Sequence, residues 1–191
     1  MGTMPIRGRR TDSLRVYVTV AVAVLVCMAF GRQASAQIAP VRVRLPGYNQ
    51  SLSLDSAATT PEAIPAGQEA TRAATIAVLE ALSIPVTTND PVGLVGNAGF
   101  TRLRRLGNAR LSTYVDCGVG LSGPQADTWR VTMAVMVWIE QTGAAESRLR
   151  LAFVAGAQDL DPGARRSAGC GSTGALELLL LERIRQQIAG K

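Results

Sequence analysis

Apolar and polar positions along this chain follow two periods, and the switches between them predict its elements. Over residues 127–140 the odd positions Trp129, Val131, Met133, Val135, Val137 and Ile139 are all apolar, while the even positions, including Arg130, Thr132 and Glu140, are mixed. Period two marks a strand with one buried face, and Trp129 is expected in the core. Residues 147–157 repeat the pattern, with Leu149, Leu151 and Phe153 inward and Arg148 and Arg150 outward. Residues 92–106 form another candidate strand, loosened by Gly93, Gly96 and Gly99. Gly107-Asn108 is a two-residue hairpin signal, after which residues 109–117 are expected to return as a strand.

Helical spacing occurs twice. In residues 68–83, Ala73, Ile76, Leu79 and Leu82 make an apolar stripe, Glu69, Arg72 and Glu80 lie elsewhere, and Pro85 ends the helix. In residues 174–189 the stripe is Leu176, Leu180, Ile184 and Ile188, with Ser172 or Thr173 as cap and Glu177 in the first turn. The polar stretch before it, containing Cys170, reads as a loop. Residues 37–66 read as an extended N-terminal arm or linker: residues 41–45 and 51–54 alternate like short strands, and Pro46, Pro61 and Pro65 read as connectors. Residues 67–191 are therefore expected to form a two-layer α+β domain. Its sheet is an antiparallel meander of four to five strands, with two helices packed on one face.

The first 36 residues read as a cleaved signal peptide. Arg7, Arg9, Arg10 and Arg15 precede an uncharged stretch over residues 16–30, shorter than the roughly 20 residues a spanning helix needs. Ala34-Ser35-Ala36 places cleavage before Gln37. Thr11-Asp12 follows Arg9-Arg10 where a twin-arginine signal would turn apolar, so the ordinary secretory route is expected. The product is periplasmic or secreted, with no transmembrane span in the mature chain. The alternatives are a retained short anchor and lipid attachment at Cys27, although Val26 before that cysteine is larger than a lipobox favours.

This reading changes the meaning of the composition. The chain has 191 residues, 47% hydrophobic and 18% charged, which fits one domain with appendages and is too apolar for disorder. Five arginines and one aspartate lie within residues 1–36, so 15 basic and 13 acidic residues remain, net +2 rather than +6. Basicity then gives no reason to expect a nucleic-acid partner. Cleavage also removes Cys27, leaving Cys117 and Cys170 to form one disulfide in an oxidising compartment.

There is no histidine, which removes the usual general base and the commonest metal ligand. Ser112, Ser122 and Ser172 have no such partner, and the one lysine is Lys191. Residues 118–123 match GxGxxG, but Pro124 and a strand follow where a dinucleotide site needs a helix, so a hairpin loop is expected. Asp90, Asp116 and Asp127 sit near strand ends and could converge as an acid/base pair. Asp159 and Asp161 could hold a cation weakly; turn and capping roles are the alternative for all five. No catalytic, cofactor-binding or metal site is assigned. If the strands align as drawn, Arg102, Arg104, Arg110, Tyr114, Arg130, Trp138, Arg148 and Arg150 share the outer sheet face. Arginine forks and aromatic rings there suit a protein partner or an anionic surface, against the alternative of an ordinary solvated face.

The order helix, strand meander, C-terminal helix is similar to helix-grip domains, including those of BamC-type envelope lipoproteins. Ala81-Leu82-Ser83-Ile84-Pro85-Val86, followed by Asp90 and Gly93, resembles the helix-to-strand junction of that group. The likeness implies a part in outer-membrane protein assembly, or an apolar ligand held between helix and sheet; the missing lipobox departs from the lipoprotein pattern. The chain also resembles uncharacterised exported bacterial proteins, which implies no function. The expectation is a non-catalytic cell-envelope domain that binds a protein or surface partner, with no cofactor. The alternatives are an apolar-ligand carrier and a carboxylate-based hydrolase.

Overall fold

The computed structural model describes residues 39–161, 163–164 and 166–190. The expected signal peptide and Cys27 lie outside the described residues. In chain order the elements are β1 (Val41–Val43), β2 (Leu52–Leu54), a 3-10 turn (Ser56–Ala58), β3 (Glu62–Ile64), α1 (Gln68–Ala81), β4 (Thr88–Asn89) and β5 (Leu94–Leu103). There follow β6 (Arg105–Leu106), β7 (Ala109–Arg110), a second 3-10 turn (Leu111–Thr113), β8 (Val115–Asp116), β9 (Val119–Gly120), β10 (Gly123–Pro124) and α2 (Gln125–Thr128). The chain closes with β11 (Arg130–Gly143), β12 (Glu146–Gln158), β13 (Ser167–Ser172) and α3 (Ala175–Ala189). The fold is α+β, with antiparallel sheets and three helices among the described residues.

The two strongest period-two segments form the centre. β11 and β12 pair in register from Arg130↔Gln158 to Glu140↔Arg148, and β5 lies on the other side of β11. The strand order is β4-β5-β11-β12-β13-β8, and β3 adds to β12 off that path. The outer edge of β12 is therefore shared. β3 takes residues 147–149 and β13 takes residues 155–158. β13 was expected as a loop; its sequence, Ser-Ala-Gly-Cys-Gly-Ser, has no β-branched residue and is held as a strand by pairing to β12 and β8.

The odd residues of β11 from Val131 to Ile139 share one core with α1, α3, Leu149 and Phe153. α3 buries Leu176, Leu180 and Ile184 as expected, and Ile188 packs partly buried against them. α1 is rotated from its expected stripe: Thr71, Ala74, Thr75, Val78 and Leu79 are buried and Ala73 is exposed. Two internal bonds let threonine replace aliphatic side chains there. Thr71 and Ser147 share a hydroxyl–hydroxyl bond of 2.9 Å, and the Thr75 hydroxyl donates to the Thr71 carbonyl at 2.8 Å. α1 stops before Pro85 in a Schellman turn. Ser83 has φ 58°, its amide donates to Glu80 and that of Ile84 donates to Leu79.

The opposite sheet face is not the wetter surface expected. β1 and β2 pair as a hairpin, and Val43, Leu45 and Leu54 bury Leu94, Ala134, Met136 and Trp138 in a second core. The segment expected as an arm or linker is thus built into the fold. Each partner carries an unsatisfied apolar stripe, and covering one with the other removes both from water. Pro46 and Tyr48 lie against Gly156 and Gly169: a Cβ at Gly156 would stand 2.0 Å from the Pro46 carbonyl oxygen, and one at Gly169 2.8 Å from the Tyr48 ring. The central even residues of β11 were the available sign that both of its faces are covered.

Residues 104–129 depart furthest from expectation. Gly107-Asn108 does close a hairpin, with Leu106 opposite Ala109, but the return strand stops at Arg110. The chain then turns through Leu111–Thr113, and β8 joins the far end of the sheet beside β13. β5 consequently pairs directly with β11. The 118–123 motif is a hairpin, β9 with β10, followed by the four-residue α2 rather than directly by a strand. Trp129, expected in the core, packs partly buried against its margin, with the Arg166 guanidinium 5.8 Å from its ring. Cys117 and Cys170 are bonded, fastening the middle of this excursion to β13.

Candidate functional site

The expected arginine face is divided by the fold. Tyr114 and Trp138 are each no more than 5% exposed, in different cores. Arg102 lies opposite Val131 and belongs to the helix side; its guanidinium donates to the carbonyls of Thr101 and Ser83 and stacks over Phe100. Arg104 and Arg110 line a cavity of about 240 Å³ with Arg105 and Asp127. Arg150 is half-buried and binds backbone carbonyls, while Arg148 pairs with Glu140 at 3.5 Å. Arg130 is exposed at the other end of the β11–β12 pair, opposite Gln158. What breaks the face is the hairpin on top of it and the excursion that carries Arg104 and Arg110 away.

Asp90 and Asp116 do not share a site. Asp90 accepts from the Val92 amide, Asp116 from the Gly118 amide, and Asp127 from the Ser112 amide and hydroxyl. Asp90 follows β4 and Asp116 ends β8, at opposite ends of the strand order, five interstrand steps or about 24 Å across the sheet. A glycosidase pair stands roughly 5–10 Å apart. Asp159 accepts both Nε and Nη2 of Arg166, at 3.0 and 2.6 Å, and Asp161 accepts the Gly163 amide. The Asp161 amide, then Arg166, holds the Asp159 carboxyl below the usual carboxylate range. No cluster of three metal-ligating side chains occurs among the described residues.

A different place collects chemistry. Between the stretch of β12 covered by β3 and the stretch covered by β13, residues 150–154 have no strand on their outer edge among the described residues. β3 stops at Glu62 because Pro61 has no amide to continue the ladder. β13 leaves β12 after Cys170, and Gly171 and Ser172 pair with β8 instead. Beside this gap lies a cavity of about 450 Å³. Its floor is Leu149, Leu151, Ala152 and Phe153; Glu177, Leu178 and Leu181 of α3 form one wall, and residues of the 53–62 segment form the other. Leu178 is 69% exposed.

Charge in the cavity has one sign: Asp55, Glu62 and Glu177 line it, and no arginine does. Asp55 caps the 3-10 turn through the Ala57 amide, and Glu62 pairs with Arg185 at 3.0 Å. Glu177 differs. Its Oε1 accepts the Ser172 hydroxyl at 2.6 Å, while Oε2 is buried and has no hydrogen-bond partner among the described residues. A buried acceptor left so costs about 1–3 kcal/mol. Glu177 was expected only as a first-turn helix residue; its second role depends on the position of β12, which local sequence does not carry. No helix among the described residues is long and apolar enough to cross a membrane. In comparisons with protein-family models, curated proteins and solved structures, nothing matches the chain.

Proposed function

We propose that this chain is a non-catalytic, exported cell-envelope domain, processed before Gln37, that binds a protein partner. The observation carrying this reading is the open side of β12. There an apolar floor, an exposed leucine and an incompletely bonded carboxylate meet in one cavity. Proteins rarely leave a strand edge and apolar surface uncovered together unless something covers them. The disulfide fits an oxidising compartment. The packing of α1 and α3 against one face of the sheet is read here as helix-grip-like, with the side slot in place of an enclosed pocket.

The test is a photo-crosslinking residue at Leu178 in the full chain, expressed in its host, with the same residue at Leu121 as control. Leu121 is exposed in the β9–β10 turn, away from the slot. A defined adduct from position 178 alone, whose purified partner then binds the purified protein, supports the reading; no adduct, or the same adducts from both positions, opposes it. A carrier of an apolar ligand is the second reading, favoured by Leu149, Leu151, Phe153 and Leu181 in the cavity wall. Native mass spectrometry of the purified protein showing a lipid-sized adduct would select it.

A further inference from the structure

Resting on the binding-domain reading, we propose that the slot takes an extended, basic polypeptide segment by strand addition to β12, with a lysine or arginine side chain held by Glu177. Residues 150–154 form the docking edge. The flanking strands β3 and β13 both run antiparallel to β12 on this same side. A segment laid between them would continue one sheet edge at the usual spacing of about 4.8 Å. Five residues at about 3.4 Å each give an edge of roughly 17 Å, enough for four or five residues of partner.

Three features choose a peptide and its chemistry. An unpaired edge offers backbone amides and carbonyls in alternation, which only another extended backbone satisfies along its length; this is the mode in which main-chain bonds give affinity and side pockets give specificity. Leu151 and Phe153 project to the α3 side of β12, toward Leu178 and Leu181, so alternate partner side chains on that side meet an apolar surface. The lining carries Asp55, Glu62 and Glu177; Glu62 is paired with Arg185 and the Arg150 guanidinium is bonded to the Thr59 carbonyl, so Asp55 and Glu177 are the carboxylates left to favour a basic segment over an acidic one. Of the three, Glu177 has an oxygen without a donor, Oε2, which is buried, so an ammonium or guanidinium group reaches this carboxylate when the Glu177 side chain turns toward the slot.

The experiment uses the full chain as its host processes it and a blocked Val-Thr-Val-Lys-Val-Thr-Val peptide, titrated by calorimetry and by amide NMR. Binding with shifts centred on residues 150–154 is expected. Two further peptides carry N-methyl groups on alternate residues, one set on odd positions and one on even. One of these should lose at least about tenfold in affinity and the other should bind nearly as well as the parent, because strand addition turns alternate amides toward the edge. Replacing the peptide lysine with glutamate should cost about tenfold, and Glu177→Gln should remove most of that preference while the protein's melting temperature holds.

Equal binding by both N-methylated peptides would overturn strand addition and leave a partner site of another kind standing. Binding without any lysine preference would overturn the role of Glu177. Absence of peptide binding together with a self-associated chain in sedimentation, its interface at residues 150–154, would assign the edge to a second copy and overturn the basic-segment proposal. Failure of the Leu178 cross-link, by contrast, speaks against the binding reading itself.

Discussion

The guanidinium of Arg150 donates to the carbonyl oxygen of Thr59 at 2.8 Å, and reaches that of Ser56 at 3.3 Å. One strand side chain thereby fixes the turn that carries the chain from β2, on the hairpin face, to β3, on the sheet edge. It also sets one wall of the slot, since Thr59 and Thr60 line the cavity.

Arg150→Ala should therefore lower stability by about 1–3 kcal/mol, the range for losing charged hydrogen bonds to partly buried acceptors. Urea unfolding measures this, and hydrogen exchange should quicken first in residues 53–60. Arg148 neighbours it in sequence but sits in an exposed pair with Glu140. Arg148→Ala should change stability by less than about 0.5 kcal/mol. Equal effects from the two variants would mean that Arg150 does not act as a clamp.

The contrast between these two arginines shows how far sequence reading reaches. Periodicity placed both on the outward side of one strand, and both are there. It could not tell that the β1–β2 hairpin, ten strands earlier in chain order, would cover the middle of that face. The information lay in Ala134, Met136 and Trp138, whose apolar character makes sense only with a partner such as Val43, Leu45 and Leu54. Strand β13 was illegible for another reason: small residues carry little strand propensity, and its pairing is decided by β12. The slot was equally out of reach, because it arises where two non-adjacent strands stop short of one another on a third.

Opening the Cys117–Cys170 bond should cost about 4 kcal/mol if the cross-link acts by restricting an unfolded loop of about 54 residues. Both cysteines are 5% exposed, so the Cys117→Ala/Cys170→Ala double variant is a cleaner test than a reductant. Denaturant unfolding should show the midpoint falling, and β8 and the amides of residues 170–172 should exchange faster than β11. A loss below about 1 kcal/mol would mean that the chain after β7 is held to β13 by packing alone.

Acid should release the loop after β12 before it unfolds the sheet. The Asp159 carboxyl is held below its ordinary value by the Asp161 amide and by Arg166, so the folded state binds its proton more weakly than the unfolded chain does. That contribution is complete above the ordinary carboxylate pKa of about 4 and disappears as pH falls through the depressed value. Wild type should thus exceed Asp159→Asn in stability by a constant margin from about pH 5 to neutrality, and the two curves should converge below about pH 4. Because Arg166 also stacks on Trp129, emission from that ring in a Trp138→Phe background should change over the same acid range. A margin that grew toward low pH would reverse the assigned sign.

Gly156 tests whether the N-terminal segment is a structural part of the domain. A methyl group there would meet the Pro46 carbonyl oxygen at 2.0 Å, and that neighbour is backbone, which cannot swing aside as a side chain would. Gly156→Ala should push residues 46–48 off the sheet, at a cost of about 1–3 kcal/mol typical of overpacking. Gly143→Ala, where the nearest atoms stand at ordinary contact distance, serves as the control and should be close to neutral. Trp138 is 3% exposed in the second core, six residues along β11 from Thr132, the partner of Gly156, so in a Trp129→Phe background acrylamide should quench Gly156→Ala more readily than the parent when the displaced turn carries the hairpin with it. Unchanged quenching with lowered stability would instead confine the displacement to the neighbourhood of the 46–48 turn. Unchanged stability would mean the 46–48 turn rides loosely over β12, and the second core would then owe its burial to β1 and β2 alone.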